Sequence, residues 1–303
     1  MNAGVIAALA AAFLWTLSTR LFQGAGRRVP ALELNLAKGL VGGMALALSL
    51  LFTLRGGGLP GGRVLALLAL SGVLGIGVGD TAFFRALQVL GTRRVLLVEL
   101  LAAPVAAGCA WLLLSENLRP HNWAGLALTL AGVALVILRV RSEDVSGAGD
   151  EALAARRSAL RGAVGWALLA ALGQGGGLTL SRLAMRDGTL DPALAALLRL
   201  LVGMAWVCFL WRRAGGHSVL LAGRDRGLWG RVAAASLLGT WLGLWLQQFA
   251  LTRVSAGVTQ TLLSTAPLFA MGLARLAGRR QSLQAWVGAL LAVAGVALLT
   301  GVL

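Results

Sequence analysis

Ten apolar runs of about 20 residues, each long enough to cross a hydrocarbon core of ~30 Å, follow one another along the chain. They lie near 3–22, 31–53, 64–89, 94–114, 120–140, 160–182, 191–211, 228–251, 255–277 and 283–303. The runs are too long and too evenly apolar for the alternation of a barrel strand, so each predicts a helix. The breaks carry helix-ending residues, as in Gly24-Ala25-Gly26 and Gly56-Gly57-Gly58-Leu59-Pro60. The first run reaches Leu21 or Phe22 with no basic segment ahead of it, which predicts a retained span rather than a signal peptide. The longest polar run, 141–158, holds Glu143, Asp144, Asp150 and Glu151 and predicts a linker between a first half, 1–140, and a second, 159–303.

The halves are related. A shift of 163 residues carries Pro104 onto Pro267, Trp123 onto Trp286 and Gly125 onto Gly288. The same shift lays Ala131-Gly132-Val133-Ala134-Leu135 on Ala294-Gly295-Val296-Ala297-Leu298. Chance matches are common in Ala/Leu-rich sequence, but a Pro, a Trp and two Gly in one register indicate duplication. At a slightly different offset, Lys38 and Gly42 pair with Arg199 and Gly203. A unit of five crossings places its second copy upside down relative to the first. The expected fold is therefore an all-α membrane protein of ten transmembrane helices, two inverted five-helix repeats around a central cavity.

Charge supports the inversion. Arg20, Arg27, Arg28, Arg93 and Arg94 crowd the breaks after spans one and three, whereas Arg212, Arg213, Arg224, Arg226, Arg231, Arg279 and Arg280 follow spans seven and nine. These breaks share one face; the other has Arg55, Arg63, Arg119, Arg182, Arg186 and Arg253. The positive-inside rule makes the crowded face cytoplasmic and puts both termini outside. Composition agrees with a lipid setting: 58% of residues are hydrophobic, 13% charged, and the mean hydropathy is +0.83, where a soluble chain carries roughly a quarter charged residues. The net charge of +16 comes from arginines scattered through short breaks, which suits lipid headgroups and not nucleic acid. Cys109 and Cys208 sit in apolar runs without CxxC or a neighbouring His and read as small apolar fillers.

These features resemble the drug/metabolite transporter superfamily, in particular the ten-helix EamA-type permeases. The resemblance is carried by Ala86-Leu87, Pro104, Ser115-Glu116-Asn117-Leu118, Trp123, Gly125 and Ala131-Gly132-Val133. The second copy repeats it in Ala250-Leu251, Ser255, Pro267, Gly278-Arg279-Arg280, Trp286, Gly288 and Gly295-Val296. It implies a cavity lined mainly by spans 1, 3, 4, 6, 8 and 9, and a transporter of small organic metabolites in the inner membrane of a bacterium. Glu116 fits an acidic position that the family has in both copies, while Arg279 reverses the charge in the second. The resemblance also implies cytoplasmic termini, opposite to the arginine count.

Polar groups within spans are the candidate site, because lipid leaves them unsolvated. Asp80 lies in span three and Glu99 in span four. Either is expected to bind a cationic substrate group or a coupling proton, or to form a structural pair with Arg85 or Arg94. Asp80, Phe84 and Gln88 share a helix face at i, i+4, i+8. Trp15, Thr19 and Phe22 share a face of span one, and Trp241, Trp245 and Gln248 a face of span eight. Gln174 lies in a glycine-rich stretch of span six, and Gln260, Ser264 and Pro267 share a face of span nine. Taken together, these aromatic and amide groups offer stacking and hydrogen bonds to an organic substrate. Lys38 and Arg199 read first as snorkelling or helix-end residues and second as substrate contacts, with Asn35 as a candidate partner of Lys38. Glycines at 72, 75 and 79 and at 173 and 175–177 read as close-packing positions.

Gly77-Val78-Gly79-Asp80 and Pro192-Ala193-Leu194 match the GxGD and PAL motifs of intramembrane aspartyl proteases. That chemistry needs two carboxylates sharing a proton, and no second Asp falls inside a span. No P-loop, metal site, cofactor motif or Ser/His pair appears. The expected function is alternating-access transport, the export of a metabolite such as an amino acid, with a proton or ion as the candidate coupling partner; a lipid or drug flippase, or a GxGD-type intramembrane aspartyl protease, is the alternative.

Overall fold

The computed structural model describes residues 3–53, 60–114, 120–143, 150–186, 190–217, 225–253, 259, 262–278 and 282–299. Within them the chain is helical, in ten successive segments. The first half holds α1 (Ala3–Ala25), α2 (Ala31–Thr53) and a long α3 that runs through Gly62–Ser71, Gly72–Asp80 and Thr81–Glu99. After it come α4 (Ala102–Leu114) and α5 (Pro120–Glu143). The second half holds α6 (Asp150–Ala184), α7 (Pro192–Arg213) and α8, which runs through Arg226–Ser236, Leu237–Gly243 and Leu244–Arg253. It closes with α9 (Ala266–Leu276) and α10 (Leu283–Leu299). Among the described residues, five helices are long and apolar enough to cross a membrane by length and composition, and Ala266–Leu276 and Leu283–Leu298 are shorter apolar helices. Leu40, Met44, Leu48, Leu51 and Phe52 of α2 and Leu201, Trp206 and Phe209 of α7 are exposed. Water would penalise so much apolar surface; lipid does not.

The polar linker is narrower than its composition suggests. Helix continues through Glu143 and starts again at Asp150, because the Ala-, Leu-, Arg- and Glu-rich residues beyond Asp150 are strong helix formers whatever their polarity. Gly91 takes φ 75°, ψ 168° and bends α3 between the third and fourth spans, a conformation that a side chain would resist.

Irregularities recur in both halves at repeat-related positions. Gly72–Asp80 and Leu237–Gly243 are π-helical, and their last residues, 80 and 243, differ by the repeat shift of 163. The fourth span breaks at Leu100–Leu101, just before Pro104, and the ninth at Ser264–Thr265, just before Pro267. Proline lacks the N–H that would bond four residues back and its ring crowds that carbonyl, so each helix restarts.

Spans five and ten meet across the duplication. A Cβ on Gly132 would fall 2.7 Å from the Gly288 carbonyl and 2.6 Å from the Ala292 nitrogen. One on Gly295 would fall 2.8 Å from the Gly125 carbonyl. Early positions of one helix therefore face late positions of the other, so these related helices run antiparallel. The glycines read as packing positions act as such, Gly176 excepted. A Cβ on Gly173 would sit 2.5 Å from the Leu74 carbonyl, one on Gly175 2.5 Å from the Ala102 carbonyl, and one on Gly177 3.0 Å from the Gly75 Cα. The glycine face of α6 thus lies directly against the π segment of α3 and the restart of α4. Gly176, off that face, meets nothing within 4 Å.

Candidate functional site

Between the halves lies a chamber with two adjoining compartments. One, of about 650 Å³ including its open mouth, is lined by Ala12 and Trp15 of α1, Leu96 and Glu99 of α3 and Ala102 of α4, and by Gln174 and Leu178 of α6. Arg199 of α7, Gln247 of α8 and Ser264, Ala266 and Pro267 around the start of α9 complete its wall. The other, of about 580 Å³, is lined by Trp15, Ser18, Thr19, Phe22, Lys38, Asp80, Phe83, Phe84, Gln174, Arg199, Thr240 and Gln247 among others. Trp15, Gln174, Arg199 and Gln247 belong to both, which makes the compartments one continuous space.

Asp80 is the polar centre of the second compartment. Lys38 donates its ammonium to one Asp80 carboxylate oxygen, and the Gln174 amide donates to the other at 2.7 Å. Asp80 and Lys38 are 4% and 8% exposed, so this ion pair is buried and ties α2 to α3. Lys38 is therefore neither snorkelling nor at a helix end, and its partner is Asp80. Asn35 instead donates to the Ile76 carbonyl at 2.9 Å and to Thr81 Oγ1 at 3.0 Å. Arg85 takes no part: its guanidinium stacks on Trp166 at 4.3 Å. Phe84 lies under the ammonium of Lys38 at 5.6 Å and meets Phe22 edge-on at 4.9 Å, forming an aromatic wall.

Glu99 and Arg199 share the first compartment. Among the described residues, neither oxygen of Glu99 has a hydrogen-bond partner, and neither do Nε and Nη1 of Arg199 or Oγ of Ser264. Arg199, 3% exposed, is also no snorkelling residue. Buried polar groups left unpaired are costly, which makes these three the groups best placed to meet a solute.

Glu99, Asp80, Trp15, Phe84 and Gln174 thus converge, as the sequence suggests. Others do not line the chamber. Gln88 donates to the Val29 carbonyl at 3.0 Å and fastens α3 to the α1–α2 turn. Trp241 donates to Ser49 Oγ at 2.7 Å, and both Trp241 and Trp245 pack against the buried cluster around Leu46 and Leu200. Gln248 is fully buried and donates to Ser181, while its neighbour Gln247 reaches the chamber. The π segment of α8 is the reason: it inserts extra residue per turn and rotates everything after it relative to an α-helical wheel. Gln260 lies outside the described residues. Lys38 and Arg199 bring α2 and α7 into the lining, beyond the six spans expected.

The sequence model of the EamA-like transporter family matches residues 2–138 and again residues 161–301. The chain belongs to that family. The two matches are the two halves, and they leave only the linker region between them. This EamA-like protein is a multi-pass membrane transporter of small molecules, in a family whose members are transporters and not enzymes. A solved structure titled "Crystal structure of protein" is 17% identical, with a TM-score of 0.64, covering 97% of this chain and 95% of that one. At that identity it shows a shared fold. None of the curated proteins matches the sequence.

Proposed function

We propose that this protein is a secondary transporter of a bacterial inner membrane that exports a small organic metabolite, such as an amino acid, by alternating access. The observation that carries the reading is the chamber itself: buried carboxylate, ammonium, guanidinium and amide groups drawn from both halves around one space. The antiparallel meeting of α5 and α10 supports inverted repeats, whose rocking would expose that space to each side in turn. Asp80 and Glu99 are the groups through which a proton or other cation would couple to movement. The test is a thermal-shift screen of the purified protein against amino acids, nucleosides, polyamines and quaternary amines, followed by counterflow of any hit in proteoliposomes. Stabilisation and counterflow by one class are expected. Absence of both for every class overturns the reading.

A further inference from the structure

We propose that Arg199 is an anion subsite, and that the molecule carried is a small organic carboxylate or phosphate with a hydrogen-bond donor at its other end. This rests on the transporter reading and names what the chamber selects.

The duplication shows what Arg199 lacks. Lys38 and Arg199 hold equivalent places in α2 and α7, and Lys38 has a carboxylate, Asp80, from the following helix. The shift that relates the two π segments carries Asp80 onto Gly243. The cation is present in both halves, but its carboxylate in only one. Among the described residues, no carboxylate oxygen lies within ion-pair distance of Arg199. The residue is nonetheless firmly seated. Its backbone carbonyl lies where a Cβ on Gly72 would fall, and its Nη2 would stand 3.4 Å from a Cβ on Gly75. Gly72 thus admits the Arg199 backbone and Gly75 borders its guanidinium, at a place where the described residues give Nε and Nη1 no acceptor.

A planar guanidinium with free N–H groups matches the paired oxygens of a carboxylate or phosphate. Two further features near Arg199 favour an anion. Helices α4 and α9 restart at Ala102 and Ala266 on its wall, so their positive ends border it, and Ser264 Oγ is unpartnered beside the second. Glu99, with both oxygens free, asks for a donor such as an amine or hydroxyl at the opposite end of the solute.

The test uses full-length protein and matched probes: 6-aminohexanoate, its methyl ester, hexanoate, pentylamine and 5-aminopentylphosphonate, with glycerol 3-phosphate against glycerol. Thermal stabilisation is expected only from members with a free carboxylate or phosphate, and the carboxylate and phosphonate arms tell which anion is preferred. Arg199→Gln should weaken that response by about thirtyfold or more, the effect of removing one partner of a buried charged contact, and Arg199→Lys should restore part of it. Without ligand, Arg199→Gln should unfold no earlier than the wild type, because an unpaired charge is removed; earlier unfolding would mark a structural arginine and overturn the proposal. Equal stabilisation by the ester, amine or glycerol also overturns it while leaving transport standing. No stabilisation by any probe, together with a failed broad screen, removes both.

Discussion

Removing Lys38 and Asp80 one at a time and then together tests whether the chamber is built around a buried ion pair. Their side chains are 11% and 6% exposed. Deleting one member of such a pair leaves the other charge in a poorly solvated site and costs about 3–5 kcal/mol. For Lys38→Met the stranded group is the Asp80 carboxylate, still held by Gln174; for Asp80→Asn it is the Lys38 ammonium. The double variant strands nothing, and Met fills most of the lysine's volume, so its cost should stay within about 1–2 kcal/mol. The implied coupling is several kcal/mol, well above the ~0.5 kcal/mol scatter of independent sites. At roughly 2–4 °C per kcal/mol for a chain of this order of size, each single variant should melt at least about 6 °C early. The chain has 10 Trp, so intrinsic fluorescence during heating reports the transition without added dye. A double variant as unstable as the two single losses combined would refute the pairing.

Close packing of α6 is testable by contrast. Gly173→Ala should cost about 1–3 kcal/mol because its Cβ has 2.5 Å to the Leu74 carbonyl, whereas Gly176→Ala, facing open space, should leave the melting temperature unchanged or slightly raised. Equal effects would mean that α6 sits differently. The π register of α8 predicts that Gln247→Leu weakens ligand-induced stabilisation with little loss of fold stability. Gln248→Leu should do the reverse, costing about 1–3 kcal/mol through the Ser181 hydroxyl it abandons; exchanged phenotypes would refute the register. A reporter fused after residue 303 should read as external if the arginine count sets orientation, and a cytoplasmic signal would favour the orientation implied by the family.

The fold was legible where chemistry is local. Pro104 with Pro267, and Gly132 with Gly295, gave the duplication its register; that the prolines also break their helices and the glycines admit the α5–α10 contact is added by the structure. The convergence of Asp80, Glu99, Trp15, Phe84 and Gln174 followed from placing polar and aromatic groups inside apolar spans. Pairings across distant segments were not legible. Asn35, one turn from Lys38, is the natural partner on a helical wheel, yet Asp80 takes that place because α2 lies against α3 there. A wheel drawn at 3.6 residues per turn puts Gln248 rather than Gln247 on the face of Trp241 and Trp245, because it takes no account of a π segment. The paired irregularities at 80 and 243 show that the duplication preserves backbone deviations along with side chains.

Chemical access to Gln174, shared by both compartments, addresses the solvated, alternately opened chamber most directly. In a background with Cys109 and Cys208 replaced, Gln174→Cys in oriented proteoliposomes would meet a membrane-impermeant thiol reagent supplied from one side or the other. Labelling that a bound solute slows, and that changes side as the gradient is reversed, is the outcome expected here. A cysteine inert from both sides under every condition, in protein that remains folded, would mean a sealed, side-chain-filled centre and no route for a solute.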